Sequence, residues 1–192
     1  MLQPLLSSEN VRLSGLRSAD MEVITRWHQD DDFLRLLHSN PAAPLSENIW
    51  KQFYEQDLPK LRDEIAFGVR LLENDQLIGF CSLNGIQYNH QTAWIAIGIG
   101  ERSAQGKGYG YEVMSLLLRF AFNELNLHRV QLSVFGYNTR AIRLYEKLGF
   151  VREGTQREGM RRDGQRFDLY YYGMLEHEWR ERQAASSLKP TE

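Results

Sequence analysis

Gln105-Gly106-Lys107-Gly108-Tyr109-Gly110 is a glycine-rich segment between an apolar stretch and an amphipathic one. Before it, Gln91–Ile99 is nearly all apolar, which predicts a strand buried on both faces. After it, apolar residues recur at helical spacing from Val113 to Leu125. Glycine permits positive φ and close backbone approach to a ligand, and a helix start adds unpaired N–H groups. The segment predicts an anion site suited to phosphate, with a tight turn that binds nothing as the alternative.

Two common phosphate-binding motifs do not match this segment. A P-loop requires Gly-x-x-x-x-Gly-Lys-Ser/Thr, which the chain lacks. A dinucleotide-binding turn requires Gly-x-Gly-x-x-Gly with an acidic residue about 20 residues further on. Here the third glycine comes one residue early, and Leu127–Phe135 contains no carboxylate. A triad hydrolase is also disfavoured, because no Gly-x-Ser-x-Gly elbow exists.

The rest of the chain reads as one mixed α/β domain. Its 192 residues are 42% hydrophobic and 25% charged, with a formal net charge of −2. We expect a single domain over residues 1–182 and a flexible C-terminal tail over residues 183–192. A first strand is predicted over Val11–Leu16 and is followed by helices. The predicted order then continues with two paired strands, a third strand, a helix, a strand, a helix and a closing hairpin. These elements are Ala66–Leu72, Leu77–Leu83, Gln91–Ile99, Val113–Leu125, Val130–Phe135, Asn138–Leu148, Phe150–Gly159 and Phe167–Leu175.

Composition also limits the partners and the compartment. No apolar run approaches the roughly 18 residues of a membrane span, so we expect no membrane association. The near balance of charge gives no global field that would favour nucleic acid. The single cysteine, Cys81, fits a reducing compartment, so we expect a cytoplasmic protein. The five histidines show no metal-ligand spacing, and no metal site is predicted.

A second motif gives the glycine-rich segment a context. The stretch Asn138–Phe150 reads Asn-x-x-Ala-x-x-Leu-Tyr-Glu-Lys-x-Gly-Phe. Together with Gln-x-x-Gly-x-Gly at Gln105–Gly110, it resembles the GNAT superfamily of acyl-CoA-dependent N-acetyltransferases, over nearly the whole chain. Leu125–Arg129 and Arg162–Asp168 resemble the branch of spermidine/spermine and ribosomal-protein N-terminal acetyltransferases. The resemblance implies a mixed, mostly antiparallel sheet of about seven strands, flanked by helices and splayed between the fourth and fifth strands.

The resemblance also implies roles for individual residues. Acetyl-CoA would be the co-substrate, with its pyrophosphate on the main-chain amides of the glycine-rich segment and its pantetheine paired to Ile97–Ile99. Gly98 would leave room beside this ligand or would mark a simple bulge. Asn138 would contact the cofactor, cap its helix, or do both. The expected cofactor-binding set is Ile97, Gly98, Ile99, Gln105, Gly106, Lys107, Gly108, Tyr109, Gly110 and Asn138.

Tyr145 resembles the family tyrosine that protonates the departing thiolate. A phenol with a pKa near 10 is a suitable acid for a thiolate of pKa about 8.5. The alternative is a core tyrosine whose hydroxyl bonds to the backbone. We expect the amine to attack the thioester directly, because Cys81 lies in an apolar strand without a neighbouring base and reads as a buried, unactivated thiol.

The general base is not evident from the sequence. Many relatives in the branch carry a glutamate on the fourth strand, and Trp94 stands at that position here. Trp94 would pack in the core or form a wall of the acceptor pocket. Substitute bases would be a water chain or one of these carboxylates: Asp30, Asp31, Asp32, Glu47, Asp63 or Glu64.

The sequence is compatible with more than one class of acceptor and of partner. The front helices combine acidic and aromatic residues, and the branch implies a polyamine-like small amine or a peptide N-terminus as acceptor. A different hypothesis is a non-catalytic acyl-CoA-binding module, or an RNA-interacting one through the arginines of the closing hairpin. The carboxylates among those arginines favour a salt-bridged face, so nucleic-acid binding is not expected. The alternation around Tyr170–Tyr172 suits an edge strand and suggests a homodimer through it.

Overall fold

The computed structural model describes residues 4–53, 56 and 62–187. The strands and helices follow the order expected from the sequence, with one additional helix at the C-terminal end. Their bounds are β1 (Val11–Ser14), α1 (Asp20–Trp27), α2 (Asp31–Leu37), α3 (Glu47–Gln52), β2 (Ile65–Leu71), β3 (Leu77–Gln87), β4 (Thr92–Gly98), α4 (Tyr109–Arg119), β5 (Arg129–Phe135), α5 (Thr139–Leu148), β6 (Val151–Arg162), β7 (Gln165–Leu175) and α6 (Glu176–Ser187).

Within the described residues, seven strands form one sheet in the order β1-β2-β3-β4-β5-β7-β6. Every neighbouring pair is antiparallel except β4 and β5. Those two strands pair only where Thr92–Trp94 faces Arg129–Gln131. Beyond that point β4 continues to pair with β3 on one side, and β5 continues with β7 on the other. The expected mixed sheet, splayed between its fourth and fifth strands, is confirmed.

One face of the sheet packs against α4 and forms the main core. Alternate residues of the central strands point to this face, as the two-residue period of a strand requires. Cys81 belongs to this layer and is fully buried, and burial raises the pKa of its thiol. The prediction of an unactivated cysteine is therefore confirmed. Other members of this core are Val69, Leu83, Ile95, Val113, Leu116, Leu117, Val130 and Met174.

The opposite face is covered on one side by α1, which packs Met21, Ile24 and Trp27 against Leu77. Gly100 is required at the edge of this layer. A Cβ built on Gly100 would lie 2.1 Å from the Trp27 ring, which is inside any real contact distance. The backbone that follows β4 therefore passes directly over the indole of α1.

A buried ion pair fastens α1 to the sheet. Nη2 of Arg70 on β2 lies 2.6 Å from both carboxylate oxygens of Asp20, and the two side chains are 5% and 8% exposed. Nε of Arg70 also donates to the hydroxyl of Ser14, and its Nη1 donates to the carbonyl of Asp75. A buried pair of this kind is costly to break, because removal of one partner leaves the other charge without compensation.

Three expectations differ from the structure. The tail expected from residue 183 is helical as far as Ser187, while residues 188–192 lie outside the described residues. The Tyr170–Tyr172 strand is not at an edge, because β7 lies between β5 and β6. Strand β4 is not buried on both faces, since Trp94 is 38% exposed. The part of the chain that the structure describes contains no helix long and apolar enough to span a membrane.

We predict that Asp20→Ala lowers the free energy of unfolding by about 3–5 kcal/mol, because Arg70 then stays buried and unpaired. Urea denaturation followed by far-UV circular dichroism measures the change. Arg17→Ala is the matched control, since it removes an ion pair to Asp75 in which both side chains are about half exposed. Equal effects of the two substitutions would contradict a stabilising role for the buried pair.

Candidate active site

A cleft of about 1310 Å³ opens where β4 and β5 part. One wall is the free edge of β4, and the opposite wall is α5 with the end of β5. The glycine-rich segment closes one end of the cleft, and α2 with the turn between β6 and β7 lies over the other. Of the residues expected to bind the cofactor or to act in catalysis, Lys107 alone does not line this cleft.

The glycine-rich segment adopts the conformation that glycine alone takes without strain. Gly106 and Gly108 have φ values of 80° and 89°, and a Cβ built on either would meet nothing within 4 Å. Gly108 is the N-cap of α4, and its carbonyl accepts from the amide of Tyr111 at 2.9 Å. The first amides of α4 have no intrahelical acceptor and are available to an anion. The backbone here is open to a ligand at close range.

Gln105 holds this segment in place through its side chain. Its Nε2 donates to the carbonyl of Ile99 at 3.0 Å, and its Oε1 accepts from Nη1 of Arg140 at 3.3 Å. The turn is thereby tied both to the end of β4 and to α5, across the cleft. Arg140 also shares one face of α5 with Arg143 and Lys147, and all three line the cleft. These three cations were not among the residues expected from the sequence, although their spacing of three and four residues was visible there.

The free edge of β4 runs along Ile97–Ile99. Gly98 pairs in regular register with Phe80, so the alternative of a bulge is wrong. A Cβ on Gly98 would lie 3.1 Å from the Phe33 ring and 3.2 Å from the Phe80 ring. Glycine is needed here because two aromatic rings, one from α2 and one from β3, press against the strand.

Helix α5 presents Asn138 and Tyr145 to the cleft. Oδ1 of Asn138 accepts from the amide of Ala141 at 3.2 Å, so its role as helix cap is confirmed. Tyr145 lies two turns further along, is 8% exposed, and packs its ring edge-on against Phe150 at 5.9 Å. Burial raises the pKa of Tyr145 to about 12. The phenol is therefore a protonated, hydrogen-donating group over the whole physiological range.

The carboxylates considered as the general base differ in whether another side chain holds them and in whether they line the cleft. The Asp30 carboxylate caps α2 and accepts from Arg102 at 2.7 Å, and this arginine lowers the pKa of Asp30. Glu47 pairs with Lys51 at 2.6 Å. Glu64 is half-buried, and burial raises its pKa, with a further contribution from Asp63, but it does not line the cleft. Of these carboxylates, Asp30 and Asp32 line the cleft.

Trp94 stands at the point where β4 and β5 separate. It pairs with Asn84 on β3 and with Gln131 on β5, and the next residues of β4 no longer face β5. Its indole lines the cleft and meets the Tyr171 ring edge-on at 6.5 Å. Trp94 therefore forms part of the wall of the cleft, and its place in an acceptor pocket stays a prediction.

Helix α2 and the turn between β6 and β7 meet over the cleft. Arg35 forms an ion pair with Asp163, and Nη2 of Arg162 donates to the carbonyls of His38 and Asn40 at 2.9 and 3.1 Å. Another hairpin arginine, Arg152, lies 3.5 Å over the Tyr170 ring. These guanidinium groups are therefore engaged by groups of the chain itself. Among the described residues, no group of three or more His, Cys, Asp or Glu side chains is placed to hold a metal ion.

Comparison with known proteins identifies the class that this fold and cleft define. The family model for the acetyltransferase (GNAT) domain matches residues 10–151. An uncharacterized N-acetyltransferase, p20 of Bacillus licheniformis, is 27% identical over 174 residues, which are 91% of this chain and 97% of p20. The spermidine N(1)-acetyltransferase of Vibrio cholerae is 41% identical over 78 residues, covering 41% of this chain and 44% of that protein.

The same relationship is present in three dimensions. The crystal structure of spermidine N-acetyltransferase from Vibrio cholerae, in complex with CoA and spermine, superposes with a TM-score of 0.80 and 27% identity over 88% of this chain and 97% of that one. The chain belongs to the GNAT acetyltransferase family. It is an acyl-CoA-dependent N-acetyltransferase with acetyl-CoA as co-substrate.

We predict that Gly108→Ala weakens CoA binding about tenfold or more, because a Cβ strains the left-handed turn and fills the space over the amides. Gly164→Ala is the matched control: Gly164 has a φ of 78°, and a Cβ built there would meet nothing within 4 Å, but it lies in the hairpin turn between β6 and β7. Both variants carry the same backbone strain. Isothermal titration calorimetry with CoA separates them, and equal affinities would place the anion site elsewhere.

Proposed function

We propose that the protein transfers an acetyl group from acetyl-CoA to a primary amine by direct attack, with Tyr145 as the general acid. The observation that carries this proposal is the position of a buried, protonated Tyr145 in the same cleft as the left-handed glycine turn. The acceptor class is a polyamine-like small amine or a protein N-terminus, as the resemblance to the spermidine and ribosomal branch implies.

The residues of the cleft fit a coenzyme A molecule. The space above Gly106 and Gly108 would receive the pyrophosphate, on the amides of Gly108, Tyr109 and Gly110. The cations Arg140, Arg143 and Lys147 of α5 would face the phosphates from the other wall. Ile97–Ile99 would pair with the pantetheine, since their edge has no partner on β5. Lys107 and Gln105 would contribute by shaping the turn and not by direct contact with the cofactor. The side-chain amide of Gln105 is already hydrogen-bonded to Ile99 and Arg140.

Acetyl-CoA supplies an activated thioester carbonyl. The chain's own contribution is to hold this carbonyl between the parted strands, to exclude water from it, and to donate a proton. Tyr145 holds that proton at its phenolic oxygen, at the end of a helix fixed by the Asn138 cap. Cys81 takes no part, because it is fully buried in the α4 layer. The amine must lose its own proton before it attacks, and Asp32, which lines the cleft, or a chain of waters would take that proton.

We predict that Tyr145→Phe lowers kcat about 100-fold or more, while the KM for acetyl-CoA changes less than about threefold. The reason is that the substitution removes only the proton donor. Tyr172→Phe is the matched control, because this tyrosine is also buried and bonds its hydroxyl to Glu146 at 3.0 Å without lining the cleft. Release of free thiol with an amine acceptor measures both variants. Unchanged turnover of Tyr145→Phe would remove this residue from the mechanism.

The pH dependence follows from the raised pKa of Tyr145. An acid whose pKa is raised to about 12 stays protonated as the pH increases, so it causes no loss of rate below about pH 10. The acceptor amine, in contrast, becomes a nucleophile as it deprotonates. We therefore expect kcat to increase from pH 6 to pH 9 and not to fall between pH 9 and pH 10. A decrease of kcat between pH 8 and pH 10 in an enzyme that remains folded by circular dichroism would contradict Tyr145 as the acid.

A further inference from the structure

We infer that Trp94 binds the ammonium group of the acceptor on its ring face, and that the acceptor carries a single positive charge on an apolar body. This inference rests on the proposed function, since it concerns the amine side of the same cleft. It goes further because it names the binding residue and excludes free polyamines as good acceptors.

The position of Trp94 is the first observation. It is the last residue of β4 that pairs with β5, so it stands at the apex of the opening in which the thioester carbonyl would lie. Its indole is 38% exposed and lines the cleft, and it rests against Tyr171 rather than inside the core. A half-exposed indole at the end of a cleft offers a π face to a cation, and tryptophan is the best side chain for this contact.

The charges of the cleft are the second observation. Two of its carboxylates, Asp30 and Asp163, are held by Arg102 and Arg35. The third, Asp32, lies in the field of Arg102 and contributes to the raised pKa of that arginine. Among the described residues, the cleft is lined by three aspartates and by six basic side chains, which are Arg35, Arg102, Arg140, Arg143, Lys147 and Arg162.

These charges disfavour a polycation. A second or third ammonium group would need its own carboxylate, and the aspartates of the cleft are already engaged or shared. It would instead meet Arg162 at the mouth, a like charge whose guanidinium donates to the carbonyls of His38 and Asn40. A single ammonium needs no carboxylate if it lies on an aromatic face.

An aromatic partner also suits the chemistry. A carboxylate beside an ammonium stabilises the charged form and raises the pKa of the amine. A ring face attracts the cation more weakly, so the amine loses its proton more readily before it attacks. Tryptophan in place of glutamate at position 94 would then affect both how the acceptor binds and how readily its amine loses a proton.

The test compares two acceptors that differ by one ammonium group, hexylamine and 1,6-diaminohexane. We expect kcat/KM to favour hexylamine about tenfold. We expect Trp94→Leu to raise the KM for hexylamine by a similar factor, and Trp94→Glu to reverse the preference in favour of the diamine. Tyr88→Glu is the matched control, because it adds a carboxylate at a 57% exposed aromatic residue outside the cleft. It should change neither the preference for hexylamine over the diamine nor the KM for hexylamine. Equal or better use of the diamine by the wild-type enzyme would overturn the inference.

Binding measured without turnover separates this inference from the proposed function. With CoA present, hexylamine should quench the tryptophan fluorescence of the wild type, and Trp94→Leu should abolish the quenching. Quenching without thiol release would reject the proposed function and would leave only the binding of an ammonium group on Trp94. Thiol release with no preference between the amines would overturn the inference and leave the proposed function standing. A C-terminally amidated tetraalanine peptide with a free N-terminus distinguishes the two sources of a single ammonium, since a kcat/KM above that of hexylamine identifies a chain N-terminus.

Discussion

The parallel contact between β4 and β5 extends over only Thr92–Trp94 and Arg129–Gln131, and the rest of the molecule is organised around this short contact. Buried backbone N–H and C=O groups need partners, so a strand that leaves its neighbour must find another one. Beyond that contact β5 pairs with β7, whereas β4 pairs with β3 on one side and borders the cleft on the other. The parted edge could accept an extended ligand with its own amides, as proposed above for the pantetheine arm of coenzyme A.

Several separate contacts hold β4 and the segment after it against α5 and α2. Gln105 bridges the end of β4 to Arg140 on α5, which fixes the width of the cleft at the phosphate end. Phe33 lies against the backbone at Gly98 and supports β4 from the opposite face. Arg102, just after β4, is bound to Asp30 at the start of α2. Each contact joins elements that are remote in the chain, so the opening is a property of the tertiary structure and not of either strand.

The sequence predicted the parts of the site whose causes are local. The positive φ of Gly106 and Gly108, and the Asn138 cap, follow from residue types that suit those conformations. The exposure of Trp94 could not be predicted, because it depends on how far β5 lies from β4. The interior position of β7 was missed for a similar reason: alternation within a strand does not encode the order of strands in a sheet. α6 was missed because its sequence is polar around most of its surface; among its contacts, the apolar one is Trp179 against Phe122, and Arg182 also donates to the carbonyl of Lys147.

The cleft also differs in charge from the chain that contains it. The whole protein has a formal net charge of −2, yet the described lining of the cleft has twice as many basic side chains as aspartates. Most of the positive charge without a carboxylate partner lies on the α5 wall, near the turn suited to phosphate. At the other end Arg35 and Arg102 are engaged with Asp163 and Asp30, and Arg162 donates to backbone carbonyls. Field lines in a cleft are concentrated by its low-dielectric walls, so an anionic thioester would be drawn to the α5 end first. Its phosphates would then neutralise these cations, and the cleft would become more favourable to a cationic amine. The charge distribution therefore suits an anionic co-substrate at the α5 end of the cleft.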